Sequence, residues 1–287
     1  MKQQIIDNIS ILLLKNYFLV KTIKGCFDIL ARRGSNILLI KTLEDANALN
    51  SITIDYMKNI ASTIGATPLI VSQKSGSKLR DNVIYTRLGI STISYNTFKN
   101  FLDKKPIFIR SNKAGLTVKI NSEELKNTIE KENISTSLLS RKIGVSSSMI
   151  KKYENEDPEV SFTRAKKFYE LFGSNVFISV DLTSSKLEEE VRKLSKFSRK
   201  YEELGFVARD TKKVPFDIIA KKNKEIILTK VGDKLNKDLF SMSSLLEADD
   251  LVIFSRKKPK DIASISQRDF LELVESEELI RIVKELN

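Results

Sequence analysis

A chain of 287 residues with 41% apolar content can bury more than one ordinary core, so two or three soluble domains are expected. A formal net charge of +12, from 49 basic against 37 acidic residues, favours polyanionic partners. Cys26 is the single cysteine and histidine is absent, which excludes an intrachain disulfide, a Cys/His zinc site and every triad or proton relay that needs imidazole.

In chain order, the first apolar run, Ile5 to Leu14, is short and contains Asp7 and Asn8. It reads as an amphipathic helix and not as a signal peptide or membrane span, so a cytoplasmic protein is expected. Three short strands rich in Val, Ile and Phe follow; the third, NILLIKTL, has the continuous apolar character of a strand buried on both faces. A helix at Ile54 to Ile64, a strand at Leu69 to Val71 and a helix at Thr97 to Leu102 complete this part. Lys104-Lys105-Pro106 marks a boundary, after which Ile107 to Arg110 and Leu116 to Ile120 form a hairpin through Ser111 to Gly115. Every later segment to Gly173 reads as helical. The C-terminal third returns to the first texture: a helix at Leu187 to Leu204, strands including EIILTKV, a helix at Leu235 to Leu246, a strand at Leu251 to Phe254 and a helix at Arg268 to Val274.

That return is an internal repeat. FDILARR at 27–33 matches FDIIAKK at 216–222, and Ile37 to Lys41 matches Ile226 to Lys230 without a gap. Weaker agreement extends in order from Phe18 and Phe206 to Phe98 and Phe270. The expected organisation is an α/β domain at 1–106, an all-α domain with a β-hairpin at 107–180, and a second, shorter α/β domain at 181–287, each α/β part a layer sandwich with a mixed sheet. Charge is uneven along these parts: 15 basic and 7 acidic residues in 1–106, 12 and 9 in 107–180, and 22 and 21 in the remainder.

In the middle part Ser122 is placed to cap a helix from Glu123 to about Lys131, followed by helices at Ser137 to Ile143 and Ser147 to about Glu154. Gly144 between the last two permits a sharp turn, and Ser146 can cap the helix after it. Leu139, Ile143, Val145, Ile150 and Tyr153 fall where the pair must share a core, small Ser140 allows close approach, and a further helix at Ser161 to Phe172 offers Ala165, Phe168, Leu171 and Phe172.

The run LLSRKIGVSSSMIKKYEN, residues 138–155, closely resembles the helix-turn-helix of the Cro and lambda-repressor type, in which an apolar-small pair, a turn glycine, an apolar residue and a closing aromatic-acidic pair recur in this order. The resemblance implies a central helix-turn-helix domain of four to five helices whose third helix lies in the major groove of double-stranded DNA. Ser147, Ser148, Lys151 and Lys152 are then the candidates for base contact, and Thr136, Ser137, Arg141 and Lys142 for phosphate contact. For Lys166 and Lys167 a phosphate contact and a solvated helix face both stand. With FDILARR and TPLIVSQ ahead of this motif, the chain resembles archaeal transcriptional regulators of the phage-repressor helix-turn-helix type, over about the first 180 residues directly and over the rest through the repeat.

Asp28 before a strand ending in Lys41, and Asp217 before one ending in Lys230, resemble the divided pattern of the PD-(D/E)xK nuclease superfamily. In that family an acidic residue two before the lysine joins the aspartate in holding a divalent metal. Here those positions are Leu39 and Leu228, so the resemblance implies the fold without the chemistry, with Asp28 and Asp217 paired to Lys41 and Lys230 or accepting hydrogen bonds. The expected protein is a non-enzymatic DNA-binding regulator without cofactor or metal, its two α/β parts an assembly platform facing each other as an intrachain pseudo-dimer, and the whole a homodimer on half-sites about one helical turn apart. Two other readings stay open: a structure-selective nuclease or repair protein, and a ligand-sensing regulator with a pocket between its α/β parts. No glycine-rich phosphate loop points to such a ligand.

Overall fold

A computed structural model describes residues 2–183, 194–234 and 236–285. Among them are eleven α-helices and sixteen strands in mixed sheets. By contact the chain groups into two units, one of residues 1–71, 88–90 and 184–287, the other of 72–87 and 91–183.

The first unit begins with α1 (Lys2–Lys15), β1 (Leu19–Thr22), β2 (Ile29–Arg33), β3 (Asn36–Asp45), α2 (Ser51–Ile64) and β4 (Thr67–Ser75), of which the part to Val71 belongs to this unit. β1, β2 and β3 form an antiparallel meander with Val20 opposite Ala31 and Leu30 opposite Leu39; β4 lies beside β3. Asn50 caps α2 through the Thr53 amide, and Gly65, at φ 71°, ends it in the left-handed turn that favours glycine.

The second unit holds β5 (Ser77–Lys78), β6 (Val83–Arg87), most of β7 (Ile90–Ile93), α3 (Tyr95–Leu102), β8 (Ile109–Asn112), β9 (Gly115–Ile120), α4 (Ser122–Lys131), α5 (Thr136–Ile143), α6 (Ser147–Tyr153), β10 (Glu159–Ser161), α7 (Phe162–Phe172) and β11 (Phe177–Ile178). The expected hairpin forms with a tighter turn than the composition indicates, Asn112 pairing Gly115 across two residues. The segment before Gly173 is not wholly helical. β10 pairs β9, Val160 opposite Val118, because burying Val160 in the shared core draws the chain into an extended ladder ahead of α7.

The first unit resumes with α8 (Lys196–Glu203), β12 (Val207–Asp210), β13 (Ile218–Lys222), β14 (Glu225–Val231), α9 (Asp238–Leu246), β15 (Asp249–Phe254), β16 (Ser264–Ser266), α10 (Gln267–Glu272) and α11 (Ser276–Lys284). Of the helices expected at Leu187 to Leu204 and Leu235 to Leu246, residues 187–193 and Leu235 lie outside the described residues. The sheet order β12-β13-β14-β15-β16 is antiparallel as far as β14 and parallel after it. α11 was not expected; its Leu279 and Val283, four apart, close the outer core over Phe270 and Tyr201.

The two α/β segments of this unit share local geometry. The Asp28 amide donates to the Ile40 carbonyl, and the Asp217 amide to that of Thr229; the Ile23 amide donates to Asp28, and that of Thr211 to Asp217. Strand alternation splits each apolar set between two faces. Ile218, Ala220 and Ile227 face α8, α10 and α11, whereas Ile219 and Leu228 enter a single cluster with Phe27, Leu30 and Leu39 of the other segment. The contacts are reciprocal: α2 packs on β12 and β13, and α9 packs on β1 and β2. Ion pairs from Lys21 to Asp238 (2.8 Å) and from Arg32 to Glu247 (2.5 Å) flank that core.

One loop locks the joint. The Cys26 amide donates to the Lys213 carbonyl at 2.9 Å, and a Cβ on Gly25 would stand 2.0 Å from the same oxygen. Backbone cannot retreat as a flexible side chain would, so Gly25→Ala should destabilise this unit by about 1–3 kcal/mol. Urea unfolding should show a lowered midpoint at similar m-value, and an unchanged midpoint would contradict the close approach.

Candidate nucleic-acid interface

The chemistry of the second unit is concentrated on α5 and α6, and their placement follows from short polar side chains at each turn. Ser135 caps α5, its hydroxyl accepting from the Leu138 amide at 3.2 Å, so the helix starts at Thr136, one residue before the expected Ser137. Gly144 ends that helix at φ 79°, ψ 48°, with its own amide and that of Val145 both donating to the Ser140 carbonyl at 2.8 and 3.0 Å. Ser146 then starts α6 by accepting from the Met149 amide at 3.2 Å. Only three residues separate the two helices, and their mutual angle is fixed by what they bury together.

Leu139, Ile143, Ile150 and Tyr153 are buried in one cluster with Leu125, Ile129, Ala165 and Phe168; Val145, Leu171 and Phe172 pack against it half-buried. Tyr153 meets Phe168 edge to face at 5.8 Å between centroids. The expected cap of α4 is displaced by one residue. Asn121 accepts from the Glu124 amide, which releases Ser122 for another task. The Ser122 hydroxyl donates to the Tyr153 carbonyl at 2.7 Å and accepts from the Asp157 amide at 2.7 Å, while the Ser122 amide donates to the Asp157 carboxylate at 2.8 Å. This exchange ties the end of α6 to the start of α4, and the Ser122 amide holds the Asp157 carboxyl below the usual range.

Ser147, Ser148, Lys151 and Lys152 are all exposed on α6. Ser148 shares a 2.8 Å hydrogen bond with Ser146, and Lys152 pairs with Glu156 at 3.4 Å, a solvated contact that another anion can replace at little cost. Ser137, Arg141 and Lys142 are exposed on α5, with Thr136 half-buried at its start. Lys166 and Lys167 separate. Lys166 stays on the solvated face opposite Glu170 at 3.9 Å, whereas the Lys167 ammonium donates to the Ile143 carbonyl at 2.7 Å and so completes the C-terminus of α5.

In the first unit the four nuclease-like positions come together in two pairs. The Asp28 carboxylate is buried and saturated by protein donors: Lys2 at 3.0 Å and Lys41 at 3.2 Å on one oxygen, the Thr42 amide at 2.8 Å and hydroxyl at 3.0 Å on the other. Asp217, more exposed, receives Lys230 and the Val231 amide, each at 2.8 Å. Lys2 and Thr42 carry no signal in the nuclease pattern and were not foreseen. Leu39 and Leu228 are fully buried in the apolar joint. A divalent cation needs several oxygen ligands with free lone pairs. These residues do not fit one: an ammonium stands on the aspartate and leucine stands at the second acid. Among the described residues no group of three or more acidic, histidine or cysteine side chains could hold a metal ion. Burial also pushes the Cys26 thiol up to about 12, against the pull of Lys41, which leaves it an inert core side chain.

Truncating Lys167 to Met should cost about 1 kcal/mol in the second unit's unfolding transition by leaving the Ile143 carbonyl without its charged donor, while Lys166→Met should be neutral. Equal effects in thermal unfolding would remove the distinction between them.

Residues 2–107 match the family model described as a PD-(D/E)XK superfamily domain. Among curated proteins the chain is similar to archaeal proteins provisionally named HTH-type transcriptional regulatory protein. That of Methanocaldococcus jannaschii is 28% identical over all of this chain and 98% of its own length. That of Methanobrevibacter smithii is 28% identical over 91% and 90%, and that of Methanothermobacter thermautotrophicus 31% identical over 78% of this chain and 72% of its own. No solved structure matches. No helix among the described residues is long and apolar enough to cross a membrane.

Proposed function

This chain belongs to the archaeal family of HTH-type transcriptional regulatory proteins that these relatives represent, and from that membership we propose that it is a sequence-specific DNA-binding transcriptional regulator of the cytoplasm whose residues 107–180 form a Cro-type helix-turn-helix domain. The observation that carries the reading is the α5–Gly144–α6 arrangement: serine caps at both helix starts, a left-handed glycine between them and one buried core beneath, with a row of hydroxyls and ammonium groups left exposed on α6. In this reading α6 enters the major groove. Lys151 and Lys152 donate to guanine O6 and N7, Ser147 and Ser148 contact base edges as donor or acceptor, and Thr136, Ser137, Arg141 and Lys142 meet phosphates. Few of these base readers are bidentate and none is an arginine or asparagine, so recognition draws on DNA shape and on two half-sites read by a homodimer. Residues 1–106 and 181–287 are two copies of one nuclease-like α/β domain, joined face to face as a pseudo-dimer that serves as an assembly platform.

Selection from random duplexes, followed by gel-shift titration, tests this directly. Lys151→Ala and Lys152→Ala should each weaken the selected site by about 1–3 kcal/mol and relax preference at one or two positions. Unchanged affinity and preference in both variants would sink the assignment of α6.

A nuclease reading is favoured by the PD-(D/E)XK match over residues 2–107. The residues themselves argue against it, since Lys2 and Lys41 occupy the Asp28 carboxylate and Leu39 cannot ligate. Linear and branched DNA incubated with magnesium or manganese should remain intact. Leu39→Glu should not create cleavage but should lower stability by roughly 3 kcal/mol or more, an unpaired charge having been forced into an apolar joint. Metal-dependent cutting by the wild-type chain that Asp28→Ala abolishes would establish the nuclease instead.

A further inference from the structure

The joint between the two α/β segments of the first unit opens on one side into a cleft of about 760 Å³, the size of a small-molecule site. Three lysines line it, Lys2, Lys24 and Lys213, together with Asp28 and Asp238. Both carboxylates are already neutralised. Asp28 carries Lys2 and Lys41 on a single oxygen, and Asp238 pairs with Lys21 at 2.8 Å. Five lysines thus meet two aspartates, and the excess rests on Lys24 and Lys213, neither of which has a carboxylate partner among the described residues.

Both lysines are exposed, and the topology places them together. Each comes from the loop between the first two strands of its segment, β1 to β2 and β12 to β13, so the joint brings the same loop from both sides to one cleft. Lys213 is held in a left-handed backbone conformation, φ 59°, by the Cys26 amide on its carbonyl, and its ammonium reaches Thr53 on α2 at 3.1 Å. Two ammonium groups at one opening repel each other when they approach, and a bound anion relieves that repulsion. Ile23, Val214 and Pro215 add an apolar wall suited to the body of an organic ligand.

We propose that this cleft binds a small phosphate-bearing molecule of nucleotide size, its phosphates held between Lys24 and Lys213 and its apolar portion against Val214 and Pro215. The occupant bridges both segments, so it stabilises the joint that Gly25 and Leu39 help to form. Binding at this site stands whether or not α6 reads DNA.

The test is calorimetric titration of the full chain, in EDTA at low salt, with inorganic phosphate, pyrophosphate, AMP and ADP. Saturable binding of at least one of these at one per chain is expected, with a raised unfolding temperature. Lys24→Gln and Lys213→Gln should each weaken it about tenfold. Lys24→Arg and Lys213→Arg should retain it, and Lys260→Gln, which does not line the cleft, should leave it unchanged. Circular dichroism confirms that the variants are folded. Three results would overturn the proposal: saturation by none of the four anions, wild-type affinity in the double glutamine variant, or one-for-one displacement of the anion by a short duplex, which would assign these lysines to a DNA surface.

Discussion

Leu39 and Leu228 lie at 0% exposure in a single apolar cluster fed by both α/β segments, and much of the first unit's character follows from that burial. Each sheet has two apolar faces. One is closed by helices of its own segment, the other by the partner segment, with α2 on β12 and β13 and α9 on β1 and β2. The contact is isologous in the sense familiar from two-fold dimers, but it is made within one chain, so it costs no association entropy. A strand face used this way cannot also carry a carboxylate two residues before Lys41 or Lys230, because an ionised side chain there would lose its hydration without gaining a partner. Leucine at the second acidic position and formation of the joint are therefore one structural fact. Asp28 remains, and its charge is met by two lysines and Thr42, so that it serves as a buried tie between α1, β2 and β3.

The second unit solves a different problem. α5 and α6 are eight and seven residues long, too short to hold helical structure by propensity alone. Capping and a shared core supply what length does not: Ser135, Ser146, Asn121 and Gly144 satisfy the ends, and Tyr153 and Phe168 anchor the pair to α7. The Ser122–Asp157 exchange then joins α4 to the residues that follow α6. With so many ends fixed, the exposed side chains of α6 project from a rigid support, and a recognition element benefits from such preorganisation.

The features legible in the sequence were those with a period or a strict local requirement. The apolar spacing of Leu139, Ile143, Ile150 and Tyr153 located their core, Gly144 located the turn, and the FDILARR and FDIIAKK runs located β2 and β13. What was not legible depended on partners far along the chain. Lys2 reaches Asp28 across 26 residues, Lys167 reaches Ile143 across 24, and no local pattern announces either. β10 was hidden because three residues are too few for a period, and Ser122 lost its capping role because Asn121, one residue earlier, fits the same geometry. The repeat suggests that the two α/β parts face each other, but not which elements meet: a strand buried on both faces can be recognised from its composition, and the element that covers the second face cannot. Asp250 shows the same gap. It is a buried acid at the start of β15, held by Ser243 and pushed by desolvation up to about 6, in a segment whose composition signals only an apolar strand.

The duplicated α/β platform and the single α5–α6 pair set the stoichiometry that the regulator reading requires. A monomer already satisfies the two-fold demand of its α/β domains internally, so that part of the chain does not call for a second copy. The helical unit is different: in the regulator reading one α6 of seven residues offers two serines and two lysines to a duplex, and each good bidentate base contact contributes about 1–3 kcal/mol of discrimination. Specific sites in a genome demand roughly 4–10 kcal/mol over non-specific binding. In that reading the two lysines of one head supply roughly 2–6 kcal/mol, the lower part of that range, and two heads span it. In the homodimer proposed above, a surface outside the internal joint brings the two chains together, and the half-site spacing in a selected operator reports the distance between their α6 helices.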